Sequence, residues 1–63
     1  MRKFLSEYFG RDNGRTAVIY HNTHGYEVEF LEHGERKDFR LLYEHSRDYV
    51  EDAAENWVEG IIE

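Results

Sequence analysis

The sequence predicts an α+β domain: a three-stranded antiparallel β-meander packed on one face by a C-terminal α-helix. Three observations predict it. In the last eighteen residues, Tyr49, Val50, Ala53, Ala54, Trp57, Val58, Ile61 and Ile62 recur at the period of one helix face. The stretch Tyr26-Glu27-Val28-Glu29-Phe30 alternates apolar and acidic, the period of a half-buried strand. Three strand-like runs, residues 16–22, 26–32 and 37–43, are joined by Thr23-His24-Gly25 and His33-Gly34, short enough for hairpins.

The N-terminus has two readings. Phe4, Leu5, Tyr8 and Phe9 repeat at i, i+1, i+4, i+5, so residues 2–9 suit a short helix stopped by Gly10. A flexible or strand-like arm is the other reading, because eight residues are marginal as an isolated helix. Arg11-Asp12-Asn13-Gly14 is a turn. The chain thus divides into an arm or short helix over 1–14, a meander over 15–44 and a helix over 46–62, all in one domain.

A two-residue His33-Gly34 loop pairs Glu32 with Glu35, and a regular ladder then pairs Val28 with Phe39, Glu27 with Arg40 and Tyr26 with Leu41. On this register the helix stripe meets Tyr26, Val28, Phe39 and Leu41, with Trp57 as the central plug. The strand over 16–22 leaves open whether Val18 and Tyr20 or Ala17 and Ile19 face the core. Ser46 is the N-cap of the helix, and Asp48 suits its positive end. Gly60 either ends the helix or permits close packing within it; the stripe at Ile61 and Ile62 favours continuation.

The segment His45-Ser46, Tyr49 and Ala53-Ala54-Glu55-Asn56-Trp57-Val58-Glu59-Gly60-Ile61 resembles the C-terminal helix of small uncharacterised proteins of tailed phages, cyanophages in particular. The preceding hairpins are similar to the same group, so the resemblance spans about residues 16–62. It implies a compact βββα accessory module and carries over no functional residue.

Composition narrows the functional classes. Sixty-three residues without cysteine have neither disulfides nor thiolate metal sites, which leaves oligomerisation as the staple for a small core. No apolar run approaches the ~20 residues of a membrane span, and a cytoplasmic location is expected. Net charge is −6, distributed as +2 over residues 1–15, −2 over 16–43 and −6 over 44–63. This disfavours nucleic-acid binding, which needs clustered Lys and Arg.

Four histidines, His21, His24, His33 and His45, invite a metal reading, but His21-x-x-His24 crosses a hairpin turn and no third ligand is assured. They read as turn and surface residues, and no metal or cofactor is expected. Tyr20, Tyr26, Phe30, Phe39 and Tyr43 are types that stack bases on a sheet, yet read better as core. Serine-nucleophile, phosphate-loop and metalloprotease motifs are absent. No catalytic residue is assigned. The candidate partner surface is the acidic helix back, Asp48, Glu51, Asp52, Glu55 and Glu59. The sequence therefore points to a non-enzymatic interaction module, a homodimer or higher oligomer. The alternative is an acidic inhibitor or nucleic-acid mimic that binds a basic protein.

Overall fold

The computed structural model describes residues 2–60. Strands β1 (Lys3–Phe9), β2 (Arg15–Asn22), β3 (Gly25–Glu32) and β4 (Glu35–Leu42) form one antiparallel sheet in chain order, and helix α1 (Arg47–Val58) packs on one face. The α+β class and the C-terminal helix are as expected. The strand count is corrected from three to four, and the N-terminal segment is a strand rather than a short helix.

The reason lies in a β-bulge. The β1–β2 register shifts between Phe4 and Ser6. In a regular strand Leu5 and Tyr8, three residues apart, would point to opposite faces. The bulge reverses the parity, so both pack on the core, while Phe4 and Phe9 pair with Tyr20 and Thr16 on the opposite face. The helix-like spacing of apolar residues is thus the imprint of a bulged strand. Pairing with β2 also satisfies backbone groups that a lone eight-residue helix would hold only marginally.

The core is Ala17 and Ile19 of β2, Val28 and Phe30 of β3, and Val50, Ala54, Trp57 and Val58 of α1. β2 is central, and Ala17 and Ile19 are its helix-facing pair. The second hairpin begins as predicted, with Glu32 opposite Glu35 across a turn in which His33 (φ 53°) and Gly34 (φ 82°) are both left-handed. A bulge then admits Lys37: Leu31 pairs with Arg36, but Phe30 pairs with Asp38. From there the register is the one-residue slip, Val28 opposite Arg40, Tyr26 opposite Leu42 and Glu27 opposite Leu41. Phe39 and Leu41 therefore leave the helix side.

The slip does not bury a charge, because α1 lies mainly over β2, with lesser contact to β3 and β1. Arg40 sits at the exposed rim, bonded to Asp38 at 2.9 Å and with its guanidinium 5.4 Å from the centre of the Phe30 ring. Leu42 fills the core position instead. The expected Glu27–Arg40 pair does not form.

Ser46 caps α1 as expected, its hydroxyl accepting the Tyr49 N–H at 3.3 Å. The helix stops short of Gly60. It ends at Val58, with Glu59 as C-cap and Gly60 at φ 80°, and the Gly60 N–H donates to the Trp57 carbonyl. This is one of the two bonds of a Schellman stop, which needs the left-handed conformation glycine adopts freely. Ile61 and Ile62 lie outside the described residues.

Candidate functional site

Two surfaces could carry function: the acidic back of α1, singled out by the sequence, and the sheet face that α1 leaves uncovered.

On the helix, Asp48, Asp52, Glu55 and Glu59 are exposed, while Glu51 is half-buried and takes the Arg47 guanidinium at 2.9 Å. The structure thus keeps four of the five predicted residues on an outward stripe and neutralises the fifth. The acids also act on their neighbour. Burial, then Glu51 and Glu55, push the Tyr8 phenol above its usual pKa. Beside this region a cleft of about 650 Å³ separates the β1–β2 turn from the end of α1 and includes Tyr8, Arg11, Asp12, Glu55 and Glu59.

Two bases of the N-terminal third, Arg2 and Arg15, are engaged away from the stripe. Arg2 pairs with Glu27 on the sheet, at 3.7 Å. Arg15 turns to the helix end: its Nη1 donates to the Trp57 carbonyl at 3.1 Å, its guanidinium lies 4.2 Å from the centre of the Trp57 ring, and Glu32 is 3.5 Å away. Asn13 Nδ2 donates to the Val58 carbonyl at 3.0 Å. The last turn of α1 carries no basic residue of its own, so β2 supplies the cation that the negative helix end favours.

The uncovered face was not predicted, because sequence parity assigned Phe39 and Leu41 to the core. It presents Phe4 (56% exposed), Phe9 (70%) and Leu41 (53%), with Tyr20 and Phe39 half-buried. Phe4 meets Tyr20 edge-on at 6.3 Å, and Arg2 stacks 3.8 Å from the centre of the Tyr20 ring. Glu27, only 7% exposed, is held by Arg2 and by a hydrogen bond from the Asn22 side chain, which also reaches the Tyr43 hydroxyl. Arg36 pairs with Glu29 at 3.6 Å. The signal that could have found this face is the surplus of apolar residues at Phe4 and Phe9, once β1 is treated as a bulged strand.

Each histidine has its own neighbour. His21 packs on Tyr26, His24 on Tyr43 and His45 on Tyr49, while His33 donates its backbone N–H to the Gly14 carbonyl. No group of three or more His, Asp or Glu among the described residues could hold a metal ion. No helix among them is long and apolar enough to cross a membrane. No family model, curated protein or solved structure matches the chain.

Proposed function

We propose that this chain is a non-enzymatic protein-interaction module that docks through the uncovered face of its sheet. The observation that carries the reading is Phe4, Phe9 and Leu41, each more than half exposed, on the face opposite the helix. Large apolar side chains exposed together on one face are characteristic of association surfaces. Glu7, Glu27 and Glu29 on the same face, against Arg2 and Arg36, argue against single-stranded nucleic acid despite the aromatic rings. An accessory module in a tailed phage is compatible with this role.

A photo-cross-linking side chain at position 9 or 41, installed in the whole chain in its cell of origin, tests the docking face. Discrete adducts are expected from both positions and not from position 35, exposed at the start of β4. Labelling at 35 equal to that at 9 and 41, or none at 9 and 41, would remove this reading.

The second reading is an acidic surface for a basic partner, favoured by the outward stripe of Asp48, Asp52, Glu55 and Glu59. It predicts salt-sensitive capture of a basic protein that is lost when Asp52, Glu55 and Glu59 are changed to lysine. Capture that survives the reversal sinks it.

A further inference from the structure

The occupant of the open face is inferred from its charge and its geometry, and the inference rests on the docking reading above. Strand pairing sets three rows across the face: Phe4–Tyr20–Glu27–Leu41, Glu7–Val18–Glu29–Phe39 and Phe9–Thr16–Leu31–Arg36. The most exposed apolar side chains stand on the two edge strands, β1 and β4. Two of the three carboxylates already face a base, through Arg2–Glu27 and Arg36–Glu29. The face is therefore close to neutral on a chain of charge −6. A strongly basic protein would be drawn to the helix instead, and a polyanion would be repelled. A surface of the same composition as this one suits it.

We propose that the occupant is a second copy of this chain, packed sheet to sheet about a twofold axis that runs along the strands. Such an axis lays β1 of each copy over the partner's β4. Phe4 then meets the partner's Leu41, and Phe9 meets the partner's Arg36, an aromatic–guanidinium contact. The in-plane axis across the strands would instead set Glu7 against Glu7 and Glu29 against Glu29. Like charges directly opposed in this way are unfavourable. Face-to-face packing also places the acidic helices on opposite outer surfaces, about 30 Å apart. That is several Debye lengths at physiological salt, so their repulsion is screened.

The face measures about 400 Å² in projection, from four strands about 4.8 Å apart and about seven residues long. Two such corrugated faces bury on the order of 1,000 Å², the lower limit of a specific interface. The dimer is accordingly weak, with a dissociation constant in the micromolar range.

Sedimentation velocity of the full chain from about 5 to about 500 µM tests it. Reversible dimerisation is expected, weakened at least about tenfold by Phe9→Lys, which sets a cation against the partner's Arg36, and by Leu41→Asp, with unchanged circular dichroism. A parent that stays monomeric throughout overturns the second-copy inference. The docking reading then survives if positions 9 and 41 still cross-link to another protein, and falls with it if they do not. A dimer indifferent to both substitutions also overturns the proposal. Because the chain has no cysteine, the axis can be read directly. Phe4→Cys combined with Leu41→Cys should close into a covalent dimer under mild oxidation, whereas neither change alone should. A covalent dimer from Glu7→Cys alone would refute the axis.

Discussion

Replacing Trp57 by alanine is expected to unfold this domain at ordinary temperature. Trp57 is buried between sheet and helix, its ring 5.2 Å from that of Phe30, and its Nε1 donates to the Leu31 carbonyl at 3.2 Å. Removing a large buried aromatic costs about 3–5 kcal/mol in lost transfer energy and residual cavity. A single core of this size rarely supplies more than about 3–5 kcal/mol in total. Loss of Trp57 therefore removes about as much stability as the fold possesses. Trp57→Phe retains most of the apolar area and sacrifices the indole hydrogen bond, a loss of about 1 kcal/mol. Urea titration of the three proteins should give that order. A Trp57→Ala variant melting within a few degrees of the parent would be incompatible with this core.

The second large effect is expected at Arg15. Its side chain, mostly shielded from solvent, joins three features: the Trp57 carbonyl at the helix end, the face of the Trp57 ring and the Glu32 carboxylate. Arg15→Met keeps an aliphatic stem over the indole but removes the charged hydrogen bond and the cation from the negative end of the helix. The expected loss is about 2–3 kcal/mol. Arg15→Lys should recover less than half, because an ammonium has no planar fork to stack on the ring while bonding a carbonyl. Full recovery by lysine would reduce the role of Arg15 to charge alone.

Local regularities made part of this structure legible. Of the helix stripe, Val50, Ala54, Trp57 and Val58 are in the core and Ala53 is half-buried, whereas Tyr49 at its edge is 50% exposed. Ser46 was recognisable as a cap because its position before the stripe suits an acceptor for the first-turn N–H groups. The His33-Gly34 turn set the first pair of its hairpin correctly. The two errors in the strands share one cause. Both misassigned segments contain a bulge, at Leu5 in β1 and at Lys37 in β4, and a single extra residue exchanges the two faces of a strand beyond it. Nothing in KFLSEYF or ERKDFRLL announces that residue, since each segment also satisfies a regular pattern.

The acidic stripe was visible in composition and remains exposed on α1. The uncovered sheet face was not visible, because its membership depends on those two bulges and on where the helix lies.

The sequence by itself determined the class of the domain, the buried face of its helix and the central strand alternation. These follow from periodicities within a single element, where burial of each side chain scales with its own apolar area. Only the tertiary structure decided that β1 completes the sheet, that Phe39 and Leu41 face outward, and that Arg15 and Asn13 cap a helix more than forty residues away in the chain. Those outcomes are settled by competition between pairings of similar local quality. The helix covers β2 rather than β4, and that placement makes an exposed Arg40 acceptable where a fully covered sheet would have excluded it.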